Sequence, residues 1–498
     1  MKNIRNILLT VGVVAGLASC NDAIDIEQPG RLDADAAFQT VDDLQAGLFG
    51  VYDNYDISTD IAFQSIFTDE LSIGFDNGGQ GLADYGFILN AGSTAPATFW
   101  TNGYDQLNSA TRLIEASLNL DPEEIAENPE LYDQVLGEAY ALRAWGHFTL
   151  LSYFSTDYTD DSALSIINLD FIPTIDQQLL RNTNGETFAL INSDLQQASS
   201  LLGSDTSNKT RINPDFITAL RARIAAYRQD YVAAATLSQQ LIDKYPLANR
   251  AEYEAMFLDE SDGEVIFKLE RTNNDTYDGQ GATGSPAAGG WAGARFAFVD
   301  ATLAGSPYFE MGRSLFNIID ENDVRYDVNV APSSLIDPDY EENNNPATDI
   351  IVIQKYPGSE GQPLMNDLKI FRASEMYLIR AEAAVAQGNL GIAANLIKDI
   401  RDARFGEDTA APSFGSPQAA YAAILDERRV ELAFEGHRYF DLKRLGTRAN
   451  QGVLKDPIDC AFNGACTLSA DDFRFTLPLP IVEFNANPGL REQQNPGY

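Results

Sequence analysis

ARIAAYRQDYVAAA at residues 222–235 and AEAAVAQGNLGIAA at residues 381–394 align without a gap. Each copy opens with small residues, where two helices can approach closely. A polar turn follows, Gln229-Asp230 in one copy and Gly388-Asn389 in the other. Then come a large apolar residue, Tyr231 or Leu390, and an alanine three further on. That is the helix-turn-helix pattern of a tetratricopeptide unit. A lone pair of this kind cannot cover its own apolar face, so units separated in sequence must meet in space. A weaker unit surrounds YALRAW at residues 140–145. The expected fold is mainly α, with tetratricopeptide-like repeats forming one flank.

Working outward from these copies, apolar residues recur at helical spacing over Val41–Tyr55, Gly103–Leu120, Leu131–Phe154, Thr187–Leu202 and Pro214–Tyr245. They do so again over Ala373–Phe405 and Gln418–Leu445. Asp121-Pro122 and Asn213-Pro214 mark helix starts, where proline is tolerated. Between the helical halves, residues 259–370 are rich in Gly, Pro, Asn and Asp. Their strand-like runs, EVIFKL at 264–269 and IIVI at 350–353, are short. The expected division is a helical part at 41–258, a loop-rich ligand side at 259–370 and a second helical part at 371–446. An irregular tail at 447–498 packs on the same fold.

The first residues speak to compartment. Lys2 and Arg5 precede an apolar run from Ile7 to Ala18, which is too short for a spanning helix of roughly 20 residues. LASC at residues 17–20 then reads as a lipobox, which predicts a leader at 1–19, acylation of Cys20 and an acidic tether at 20–40. Multiple acylation at one cysteine gives stable membrane anchoring. Loss of the leader takes the formal charge from −39 to −41. Such a field repels nucleic acid, whose phosphates need Lys and Arg. Cys460 and Cys466 bracket AFNGA; an oxidising compartment and a Gly-containing loop predict a structural disulfide. Two thiols without a neighbouring His or third Cys make a poor zinc site.

ERRVELAFEGHRYFDLKR at residues 427–444 is the richest stretch. Glu427, Glu431 and Glu435 fall at i, i+4 and i+8 and line one helix face. Arg428, Arg438 and Arg444 are the expected partners, since the guanidinium fork suits structural pairing with carboxylates. Only two histidines occur, His147 and His437, both in helix-like motifs where packing is the simpler role. No nucleophile elbow, phosphate loop or metalloprotease motif is present. Nor do acidic pairs among 73 carboxylates point to hydrolysis. The chain therefore reads as a binding protein that needs no cofactor.

Sugar capture calls for exposed aromatic faces ringed by planar polar groups. Two loop regions offer these: Phe75, Asn77 and Tyr85 in one, and Tyr277, Asp278, Trp291 and Arg295 in the other, with Trp291 the leading candidate. Asp76, Asn77 and Asp278 could equally meet a calcium ion, but their spacing follows no loop rule. Trp100, at the start of a helix, is expected in the core.

The 427–444 stretch resembles the signature of the SusD/RagB family of outer-membrane nutrient-binding lipoproteins. FRASEMYLIRAEAAVAQGN at 371–389 and FTLPLPIVEFNANPGLREQQNPGY at 475–498 are similar to further parts of that family. WTNGY at 100–104, AYALRAWGHF at 139–148 and DVR at 323–325 match more weakly. The resemblance implies four tetratricopeptide units on one flank and ligand-holding loops on the other. It also implies a non-enzymatic role on the outer membrane: capturing a glycan and passing it to a SusC-like TonB-dependent transporter. Some members take peptides or other nutrients instead, and a surface glycoside hydrolase or lyase is the reading from another class.

Overall fold

Between the two helices of the first repeat copy, Gln229 adopts a left-handed backbone with φ of 59°, and Gly388 takes the same place in the second copy with φ of 79°. This residue reverses the chain in each case. Asp230 then caps the next helix by accepting from the Ala233 amide at 3.1 Å. The computed structural model describes residues 37–174, 176–273, 275, 290–295, 307–343, 345 and 347–498. The N-terminal part comprises α1 (Val41–Asp53), α2 (Ser58–Phe67), α3 (Thr94–Leu118), α4 (Pro129–Phe154), α5 (Asn184–Leu201), α6 (Pro214–Tyr227) and α7 (Tyr231–Ile242). Later helices are α8 (Arg250–Phe257), α9 (Val324–Asn329), α10 (Ala373–Ala386), α11 (Leu390–Phe405), α12 (Pro417–Glu431) and α13 (Arg438–Ala449).

Four helix pairs result: α4 with α5, α6 with α7, α10 with α11 and α12 with α13. They stack in that order, α7 lying on α10 and α12 against both α10 and α11. Alanines permit the close approach, for Ala222, Ala234, Ala381, Ala384 and Ala393 are all buried. The second and third pairs are adjacent in space although more than a hundred residues separate them, which is what stacked repeats require. Among the described residues no helix is long and apolar enough to cross a membrane.

The strands are short and antiparallel. β1 (Leu71–Ile73) pairs with β3 (Phe309–Met311), and β2 (Val265–Leu269) pairs with β4 (Leu368–Arg372). Phe267 and Phe371 of the second pair pack against Phe216 of α6, with centroids 4.7 and 5.4 Å apart, and so seat the loop-rich segment on the repeats. The tail is tied down as well. Buried Arg181 donates to the carbonyls of Phe154, Ser165 and Gln493 at 2.7–2.8 Å, and to Asn495 Oδ1 at 2.9 Å. Trp100 is in the core, 1% exposed.

Glu427, Glu431 and Glu435 are ion-paired, but not with the arginines expected from local sequence. Arg404 donates to Glu431 and Glu264 at 2.8 and 2.9 Å, and Arg372 joins Glu264, Glu431 and Glu435 at 2.7–3.0 Å. Arg325 reaches Glu427 at 2.6 Å, and Lys355 reaches Glu435 at 2.9 Å. Arg428 and Arg444 instead meet Asp441 and Glu382, and Arg438 meets Asp69. Of these three arginines, only Arg428 shares α12 with Glu427 and Glu431, one residue on from Glu427 and so on another face. α12 ends at Glu431, Glu435 follows in a turn, and Arg438 and Arg444 belong to α13. Glu264 and Lys355 belong to the loop-rich segment, so this network locks that segment to the third and fourth helix pairs. Breaking a buried pair leaves an uncompensated charge, at a cost of about 3–5 kcal/mol. His147 and His437 are structural too. The Leu169 amide donates to His147 Nε2 at 3.0 Å, and burial pulls His147 and His437 down to about 3 and about 4.

Candidate ligand-binding site

Gly74 ends β1 where its chain must pass close to Pro307. A Cβ there would fall 2.0 Å from the Pro307 carbonyl oxygen, so only glycine fits. The Gly74 amide and the Asn77 side chain both donate to the Tyr308 carbonyl, at 3.0 and 2.8 Å. Phe75, between these ties, is left 61% exposed. It overhangs a groove of about 510 Å³ built from β1, β3, residues 340–351 and the segment 458–462. None of its lining residues comes from the four helix pairs.

Three aromatic side chains reach this groove: Phe75, Tyr340 and Phe462. Phe462 is 58% exposed, at the tip of a loop closed by the Cys460–Cys466 disulfide. Behind it, Tyr85 donates to the Asp459 carbonyl at 3.0 Å, and the Lys455 ammonium sits 3.4 Å over the Tyr85 ring. Burial brings that ammonium down to about 7. Tyr340 donates to Asp456 at 3.2 Å and lies under the Arg313 guanidinium at 4.1 Å.

The groove's polar groups are anchored to its own backbone. Ser72 faces Glu310 across the β1–β3 ladder. Burial pushes the Glu310 carboxyl up to about 8, even though the Ile351 and Phe75 amides donate to it. Asp459 is likewise pushed up by burial, to about 7, while accepting from the Arg313 amide at 2.8 Å. Arg313 itself is clamped on Asp349. Among the described residues no cluster of three or more His, Cys, Asp or Glu is placed to hold a metal.

The structure redistributes the residues singled out from sequence. Phe75 is exposed and lines the groove. Asn77 is buried, with its amide used on Tyr308 and its oxygen accepting from the Gly79 amide at 3.0 Å, so it builds the loop and is not free for ligand. Tyr85 is fully buried and supports Phe462 from below, so it offers no ring face. Trp291, the leading candidate, is only 9% exposed and packs with Ala294 and Met365. Tyr277, Asp278, the Arg295 side chain and Cys20 lie outside the described residues. Phe462, Tyr340, Glu310 and Arg313 went unnoticed in the sequence. Only Phe462 carried a signal, as an aromatic residue inside a disulfide-closed loop.

Other cavities are of similar or larger size. One, of about 490 Å³ beside Val330 and Pro332, has one partly exposed ring, Tyr326. A second, of about 520 Å³ between α2 and α3, has only the buried Phe63, and a third, of about 650 Å³ beside Arg429 and Asn450, has no aromatic lining. Of these cavities, and among the described residues, the groove at Phe75 and Phe462 is the one with well-exposed rings.

Comparison with known proteins places the fold. A family model described as the SusD family matches residues 203–498, more than half of the chain. A second, described as starch-binding and associating with the outer membrane, matches residues 24–225. A SusD-like protein of Formosa agariphila is 24% identical over the full length of both chains. Among solved structures, a SusD superfamily protein from Bacteroides thetaiotaomicron superimposes with a TM-score of 0.72 at 23% identity, covering 92% of this chain and 100% of the other. A laminarin-binding SusD-like protein does so with a TM-score of 0.67 at 21% identity, covering 93% and 100%. With stacked helix pairs on one side and a loop-built groove on the other, the chain belongs to the SusD family.

Proposed function

We propose that this protein is a surface-anchored lipoprotein that binds an oligo- or polysaccharide in the groove between Phe75 and Phe462. It then hands that ligand, with its bonds intact, to a SusC-like TonB-dependent transporter. The carrying observation is the pair of exposed rings over a floor of hydrogen-bonding carboxyl groups. A pyranose C–H face stacks on such rings while its hydroxyls meet planar polar partners. The laminarin-binding relative and the starch-binding family description support a glycan over a peptide. The LASC lipobox supports anchoring through Cys20.

The laminarin-binding SusD-like relative supports capture without turnover. The test uses the soluble chain beginning after Cys20, run in native gels cast with a retained polysaccharide. Phe75→Ala and Phe462→Ala should each weaken retardation by roughly tenfold, the scale of one lost stacking contact. No reducing ends should appear on incubation. Undiminished retardation of both variants, or release of reducing ends, would overturn the reading.

A further inference from the structure

Among the described residues that line the groove, the one cation is Arg313, which is 4% exposed and paired. Arg313 Nε donates to Asp349 Oδ2 at 2.9 Å, and Nη2 pairs with Asp349 Oδ1 while also donating to the Asp337 carbonyl at 3.1 Å. Its planar group is covered by Tyr340 and Phe316, at 4.1 and 5.0 Å. Asp349 thus neutralises this guanidinium along its Nε–Nη2 edge, and the two rings cover its faces. The remaining ionisable lining groups, Glu310 and Asp459, are carboxyls that burial drives toward their protonated form. Asp456, behind Tyr340, accepts from that phenol at 3.2 Å.

A uronate or sulfate ester stacked on Phe462 would shed water and meet, among the described lining residues, only a cation that Asp349 already neutralises. Leaving such a charge without a free counter-charge in a partly buried site opposes binding strongly. The chain's formal charge of −39 adds repulsion at longer range. A cationic sugar fares little better, because Asp349 is already paired and the other two carboxyls would have to ionise. An uncharged pyranose meets no such cost: a protonated carboxyl offers both a donor and acceptors to its hydroxyls, and the rings take its C–H face.

We infer that this groove selects an uncharged saccharide segment and excludes uronic acids and sulfate esters from the position between Phe75 and Phe462. The inference rests on the groove being the glycan site, and the experiment separates the two claims. The soluble chain, Phe75→Ala and Phe462→Ala are compared in native gels cast with laminarin or mannan, both neutral, and with alginate or carrageenan, both anionic. We expect retardation by a neutral polymer, reduced in both variants and changing less than about twofold between about 0.05 and about 0.5 M NaCl, since no ion pair is screened. Retention by alginate or carrageenan that is lost in the two variants would overturn the charge selectivity while leaving the site in place. Retention by a neutral polymer that survives both substitutions would overturn the site itself.

Discussion

The ring of Phe462 lies nearly parallel to that of Tyr85, with centroids 5.9 Å apart and planes at 18°. Tyr85 is buried and fixed by its bond to the Asp459 carbonyl, so it holds an exposed ring in one orientation before any ligand arrives. Rigidity of this kind improves affinity by lowering the ordering cost of binding.

The Cys460–Cys466 bridge contributes to that rigidity, closing the loop across a sequence separation of six. Replacing both cysteines with alanine should weaken polysaccharide binding several-fold. Global stability should change by no more than about 2 kcal/mol, the scale for so short a loop. Affinity gels and urea unfolding measure the two effects. Unchanged binding would remove the loop from the site.

Glu310 acts as a neutral acid. Its folded carboxyl sits near about 8 against an ordinary 4.5. A carboxyl raised in this way gives stability that is complete below its ordinary value and is lost as pH rises through the folded one. Glu310→Gln keeps an acceptor for the Ile351 and Phe75 amides without the ionisation. It should stabilise the protein by on the order of 1–3 kcal/mol at pH about 8, less at about 5, with binding preserved. Urea unfolding at the two pH values checks this.

On the acid side, Asp69 and Asp441 act alongside Glu431, which burial pushes up but Arg404 and Arg372 hold far below the usual carboxylate range. Burial pushes Asp69 and Asp441 up, but Arg429 and Arg438 at Asp69, and Arg428 and Arg444 at Asp441, more than offset it, leaving each at about 2. Depressed carboxyls give stability that is present above the ordinary 3.8 and lost as pH falls through about 2. Buried neutral His147 adds a loss from its ordinary 6.5 down toward about 3. The raised carboxyls Asp60, Glu70, Glu310 and Asp459 oppose this above about 4 and not below it. Stability should therefore drop steeply between pH about 4 and about 2, and Asp441→Asn should flatten that slope while lowering stability at neutral pH.

Gly388 should tolerate no side chain cheaply, although space is open around it. Nothing lies within 4 Å of a Cβ built there, so Gly388→Ala isolates the backbone cost of φ 79°. The expected loss is about 1 kcal/mol by urea unfolding. Gln229, carrying a side chain in the same conformation, bears this strain already and directs its amide oxygen to Arg448.

The repeat flank was legible because local rules create it: small residues, a turn and a second apolar run recur at 222–235 and 381–394. That Glu427, Glu431 and Glu435 serve structure was legible from their spacing, although α12 carries only the first two. Their partners were not, since Arg325, Arg372 and Arg404 come from other segments and are chosen by tertiary packing. The groove was harder still. Asn77, Tyr85 and Trp291 sit among Gly and polar residues, a composition that suggests exposure, yet each is buried. Phe75 was visible in the sequence, whereas Phe462 carried only the weaker signal of an aromatic residue between two cysteines, and its stacking on Tyr85 is tertiary.

Calorimetric titration of a neutral oligosaccharide from a retained polymer into the soluble chain and the Phe75→Ala/Phe462→Ala double variant tests the central claim most directly. We predict measurable binding by the parent chain, a loss of at least about a hundredfold in the double variant, and recovery of the oligosaccharide at its original length. Equal affinity in the two proteins, or shortened product, would contradict the account.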